Sequence, residues 1–155
     1  MWFGFLKHLH TYLKTNANCK QIEVGNDGVS QSTIDSGVII LSRGYEDRGQ
    51  ENVTEELKLT FYLEAWVRED SNNLINGYKK LSALEADIEQ ALAKFRQTVG
   101  VLDDEWAVYD DVYQVLDLWA TEKRASDDSC RPLFGTLYVI KARLYNLNSE
   151  NGGIW

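Results

Sequence analysis

From Val53 to Val67 the chain alternates: the odd positions read Val, Glu, Leu, Leu, Phe, Leu, Ala and Val, the even ones Thr, Glu, Lys, Thr, Tyr, Glu and Trp. A period of two sends neighbouring side chains to opposite sides of a sheet, so the pattern predicts a long antiparallel-type strand with one dry and one wet face. The period then changes. Asp70, Ser71, Asn72 and Asn73 offer helix-capping side chains, and after them Leu74, Tyr78, Leu81, Leu84 (or Glu85), Ile88, Leu92 and Phe95 recur at helical spacing. These residues predict a long helix over about 72–96, laid across the dry face of the sheet. A second helical stripe, Trp2, Phe5, Leu6, Leu9, Tyr12 and Leu13, predicts an amphipathic helix over about 2–14.

The remaining segments are shorter or less regular. QIEV has strand length, GNDGVSQST has loop chemistry, and GVIILS is an apolar run of strand length leading into RGYEDRGQEN, a charged stretch expected as a loop or projecting arm. Gly100 and the acidic LDDEW turn the chain back. VYDDVYQVLDLWATE and RPLFGTLYVIKARLYN then read as two further strands separated by KRASDDSC, with Pro132 at a strand start where no ladder N–H is lost. The expected class is α+β: a mostly antiparallel sheet of about four or five strands, packed by the long helix and accompanied by the N-terminal one. Residues 1–148 are expected to form a single domain and 149–155 a loose tail.

Composition narrows the function classes. The chain has 155 residues and 44% hydrophobic content, enough for one core, and its Asp+Glu total of 24 against Lys+Arg 16 leaves a net charge of −8. That balance disfavours direct, sequence-independent binding of phosphate backbones. The opening MWFGFLKHLHTYLK lacks the marks of an export signal, is too short to span a bilayer, and is too weakly basic to seek anionic lipid, so no membrane role is expected. Cys19 and Cys130 read as free thiols, the alternative being one long-loop disulfide in an oxidising compartment.

Reactive constellations are scarce. His8 and His10, the only histidines, both fall on the first helix, and no phosphate-loop, dinucleotide, paired-cysteine, metalloprotease or nucleophile-elbow motif occurs. Asp103, Asp104, Glu105, Asp110 and Asp111 lack the alternate-residue spacing and central glycine of a calcium loop and read as a solvated turn. Asp117, Glu122, Asp127 and Asp128 read the same way. No catalytic site, metal or cofactor is expected.

Aromatic residues are more suggestive. Trp66, Tyr62, Tyr109, Tyr113, Trp119 and Trp155 fall on or beside strands, and Tyr62 and Trp66 share the nominally wet face of the long strand with Thr60 and Glu64. Large anchors mixed with charge compose an intersubunit interface, unless the first helix or a loop covers that face instead. The candidate interface residues are Tyr45, Glu46, Asp47, Arg48, Tyr62, Trp66 and Trp155.

GVIILSRGYEDRGQENVTEELKLTFYLEAWV, the helix LSALEADIEQALAKF and the closing RPLFGTLYVIKARLYN, spanning roughly residues 36–146, together resemble the tail-terminator and tail-completion proteins of long-tailed phages and prophages. The resemblance implies a homo-oligomer, a hexameric ring capping the tail tube. Such a ring contacts tube protein on one side and head-completion protein on the other, with DNA passing through its lumen. It implies a cytoplasmic protein during assembly and a virion tail protein afterwards. Carboxylates lining such a lumen would repel phosphate and let DNA slide, and Glu51, Asp103, Asp104 and Glu105 are the candidates, with Glu46 and Asp47 also considered. Two other readings stay open: another neck or secretion-system structural component, and a small-ligand binder or enzyme with a pocket between helix and sheet.

Overall fold

The computed structural model describes residues 2–17, 19, 21–25, 37–47, 56–97 and 113–146. In chain order the elements are α1 (Trp2–Asn16), β1 (Gln21–Val24), β2 (Val38–Asp47), β3 (Glu56–Arg68), α2 (Leu74–Gln97), β4 (Tyr113–Ala125), one 3-10 turn (Asp128–Cys130) and β5 (Leu133–Asn146). The five strands form one mixed sheet in the order β1-β2-β3-β5-β4. Three ladders are antiparallel and the β1–β2 ladder is parallel, so the sheet expected to be mostly antiparallel is a mixed one.

β3 carries the fold. Leu57, Leu59, Phe61, Leu63, Ala65 and Val67 are all buried on one side, where β5 answers with Phe134, Tyr138, Ile140, Ala142 and Leu144. Both helices cover this dry face. α2 lies over β3 and β5, while α1 lies against β1 and β2 and touches α2. From α1 the stripe Phe5, Leu6, Leu9 and Leu13 is fully buried; from α2 the buried set is Leu81, Leu84, Ile88, Ala91, Leu92 and Phe95. Each such side chain contributes about 1.5–3 kcal/mol of burial before entropy is counted. An aromatic junction ties the two layers: Phe5 meets Phe61 edge-on at 5.5 Å and Phe95 at 6.2 Å, and Tyr12 meets Phe95 at 5.0 Å.

The end of α2 was predicted closely and its start less so. Asn73 is the cap, its side-chain carbonyl accepting the Ile75 N–H at 3.1 Å, one turn's fraction after the capping run begins. Tyr78, placed on the apolar stripe by spacing, is 54% exposed and packs only its ring edge on Phe134.

Two further corrections concern strand ends. RGYED is no loop: Arg43–Asp47 continues β2, paired with β3 as far as Asp47↔Lys58. Likewise Lys123–Ala125 belongs to β4 and not to the connection after it. Both strands contain register shifts, between Arg43 and Glu46 and between Val115/Asp117 and Ala120/Glu122. Each shift inserts one residue and reverses the in–out alternation beyond it. Gly44 and Tyr45 thus stand together opposite Thr60. Only glycine suits position 44, because a Cβ there would fall 2.4 Å from the Thr60 carbonyl oxygen. Past this bulge Asp47 shares the face of Lys58, whereas unbroken alternation would have turned it to the helices.

Candidate functional site

Both α1 and α2 lie on one side of the sheet, so among the described residues no helix covers the even-numbered face of β3, and α1 is not the cover for Tyr62 and Trp66. The strand registers map this open face row by row. At one end Trp66 stands between Val38 and Gly135, and its indole packs with Leu133 against Val38 and Ile40, a small second apolar cluster. The next rows carry Glu64 beside Leu137, then Tyr62 beside Val139, all half-buried. Thr60 follows, flanked by Lys141 and, across β5, by Trp119. The last rows bring Asp47, Lys58 and Arg143 into line, with Glu56 adjoining. The face therefore grades from apolar and aromatic to charged.

At the charged end lies a hollow of about 430 Å³ bordered by Asp47, Glu56, Lys58, Thr60, Trp119, Lys141 and Arg143. Glu56 accepts a 2.5 Å hydrogen bond from Arg143 Nε, and this guanidinium holds the Glu56 carboxyl below its ordinary range. The same contact raises Arg143. Asp117 stands opposite Arg143 in register, yet its carboxylate pairs with Arg96 of α2 at 3.2 Å, since the edge strand bulges there.

A second hollow, about 600 Å³, opens between α2 and β4 over Leu92, Leu118, Ala120 and Ile140. Its upper wall is a polar clamp. Lys123, turned inward by the Ala120/Glu122 shift, reaches Glu85 and Glu89 of α2 at 3.0 Å each. Thr136 donates to Glu85 at 2.9 Å, and Tyr138 to Glu89 at 3.4 Å. Partial burial alone would lower the Lys123 ammonium, but the two carboxylates outweigh it and hold it above its ordinary value. Burial first, and Glu89 second, push the Tyr138 phenol up. Neither group is poised to exchange a proton near neutrality, so the clamp fastens helix to sheet.

The remaining sequence candidates separate. Tyr62 and Trp66 are brought together on the open face. Tyr45, 55% exposed, stands at the bulge, whereas Glu46 pairs with Arg43 at 3.1 Å and Asp47 joins the hollow. Arg48, Glu51, Asp103, Asp104, Glu105, Asp110, Asp111, Tyr109 and Trp155 lie outside the described residues. His8 is buried against Phe95, and the His10 ring nitrogen Nε2 bonds the Ile22 carbonyl at 2.9 Å, so both histidines serve the seating of α1. Cys19 and Cys130 are free thiols, and burial raises Cys19. Among the described residues no three His, Cys, Asp or Glu side chains are grouped to hold a metal, and no helix is long and apolar enough to cross a membrane. Sequence reasoning missed Lys58, Lys141, Arg143 and Trp119 as a group, because they come together through the β3–β5 and β5–β4 pairings, and the pattern within a strand does not say which strand it pairs with or in what register. No family model matches the chain, and no curated protein matches it.

Proposed function

We propose that this chain is a structural assembly subunit, a tail-terminator-like protein that closes into a ring at the end of a phage or prophage tail tube, with the open sheet face as its principal contact surface. One observation carries the reading: both helices pack on a single side of the sheet, leaving Tyr62, Trp66, Leu137 and Val139 half-buried on the other, interleaved with Glu64, Lys58 and Arg143. Anchors of this size within a charged rim are how protein interfaces are composed. The sheet edges fit a subunit that associates by its face. β4 is bulged twice and carries Glu122, Lys123 and Arg124, devices that discourage strand addition.

The tail-terminator identity itself rests on the resemblance of residues 36–146, and with it go the hexameric order, the tube and head-completion partners, and the passage from cytoplasm to virion. The acid excess suits a ring whose lumen must not hold DNA. Electron microscopy of the purified chain, alone and mixed with a phage tail tube protein, tests the reading. Closed rings with an open centre are expected, and particles that stay dispersed as single subunits in both samples would contradict it.

A further inference from the structure

We propose that the hollow at the charged end of the open face receives a carboxylate side chain from a second copy of this chain, with Lys58 and Lys141 as its anchors; this rests on the ring reading above and names the contact that reading needs.

Three cations crowd adjoining rows here. Lys58 and Arg143 are direct cross-strand partners, and Lys141 lies one row on, beside Thr60. Like charges placed directly opposite in a sheet are unfavourable, so such a cluster calls for anions. Arg143 is answered by Glu56. Among the described residues no ion pair joins Lys58 or Lys141, although Asp47 is the cross-strand neighbour of Lys58 and the Lys58 charge adds to Arg143 in lowering the Glu56 carboxyl. Two ammonium groups therefore border a hollow that also offers the Thr60 hydroxyl as a donor and the Trp119 indole as an apolar wall.

Charge complementarity names the occupant. The chain as a whole is acidic by eight charges, so copies approaching one another repel unless a cationic spot on one meets an acidic surface of the next. The hollow, bordered by Lys58, Lys141 and Arg143 against Asp47 and Glu56, is where cations outnumber carboxylates on this face. A DNA backbone is the poorer match, because a run of phosphates laid along this face would also meet Asp47 and Glu56, which border the same hollow. A single carboxylate, by contrast, asks only for the two lysines and extends no further run of negative charge along the face.

The test is sedimentation velocity over a range of concentration and salt on the whole chain, comparing wild type with Lys58→Glu/Lys141→Glu and with Lys79→Glu/Lys94→Glu, which makes the same charge change on exposed positions of α2. Circular dichroism establishes that each variant is folded; the milder Lys58→Gln/Lys141→Gln pair carries the same expectation if the reversal does not fold. Wild type is expected to self-associate less as salt rises, the hollow variant to associate on the order of tenfold more weakly, and the α2 variant to change far less. If wild type associates and the hollow variant does so equally well, this inference falls and the ring reading stands. A wild type that remains single at every concentration takes the ring reading down with it. Short fluorescent duplex DNA bound by wild type and released by the hollow variant would overturn the proposal in favour of a nucleic acid.

Discussion

The indole of Trp66 lies flat over Gly135: a Cβ built on Gly135 would sit 2.4 Å from the Cε3 and Cζ3 atoms of the ring. The two residues are direct cross-strand partners, and the missing side chain on β5 is what lets the ring settle across the strand onto Val38 and Ile40. Gly135 is fixed on both sides, since its N–H donates to Ser126 Oγ and its carbonyl accepts the Ser126 N–H, each at 2.9 Å. Gly135→Ala should therefore displace the indole and cost about 1–3 kcal/mol in denaturant unfolding, as overpacking does. In a double-mutant cycle the loss should shrink when Trp66 is already alanine. Equal losses in both backgrounds would show that ring and glycine do not depend on one another.

Gly44 makes the second close approach. Because its missing Cβ would meet a backbone oxygen, no rotamer change relieves the clash, and Gly44→Ala should either destabilise the protein by about 1–3 kcal/mol or expel the bulge. Hydrogen exchange along Ser42–Asp47 distinguishes the outcomes: faster exchange at these amides is expected, and an unchanged protection pattern with unchanged stability would count against a required glycine.

The bulges of β2 and β4 also explain what the sequence made legible and what it hid. β3 has no register shift from Glu56 to Arg68, so its alternation in the sequence is its alternation in space, and Leu57 to Val67 fall where the period puts them. α1 and α2 were equally readable, because a stripe at three- and four-residue steps needs no partner to define it. In β4, by contrast, the buried residues Val115 and Leu118 are three apart, a spacing no flat strand allows, and only the shift between them makes it possible. Lys123 turning inward and Asp47 turning outward have the same cause. The parallel pairing of β1 with β2 was invisible for another reason: four residues of QIEV carry no mark of strand direction.

The Lys123 clamp should be real but modest in strength. Lys123 is 44% exposed, so solvent screens it, and a Lys123→Met/Glu85→Gln cycle should return a coupling of about 0.5–1 kcal/mol that falls with added salt. The sign of its pH dependence follows from the raised ammonium: its contribution is complete below the ordinary lysine range and is lost only as pH rises through the higher folded value. Stability at pH 6–9 should therefore be indifferent to this pair. A coupling that vanishes between pH 6 and 9 would contradict the assignment.

Glu56 behaves in the opposite sense. Its carboxyl is held down first by the Arg143 hydrogen bond, so the pair contributes above the ordinary glutamate range and is lost as pH falls through the lowered folded value. A carboxyl NMR titration should place the Glu56 midpoint below the unperturbed value of about 4.3, and Arg143→Gln should move it upward. A midpoint indifferent to that substitution would remove Arg143 as the cause.

The central proposal is that the face of the sheet opposite α1 and α2 is where this protein meets its own copies, and Tyr62 sits in the middle of that face without filling the core. Sedimentation velocity of wild type beside Tyr62→Glu, with thermal melts of both, addresses it most directly. The account predicts a wild type that assembles into a discrete oligomer and a variant that melts at nearly the same temperature but sediments as a single subunit. A variant that assembles like wild type, or a wild type that never assembles, would contradict it.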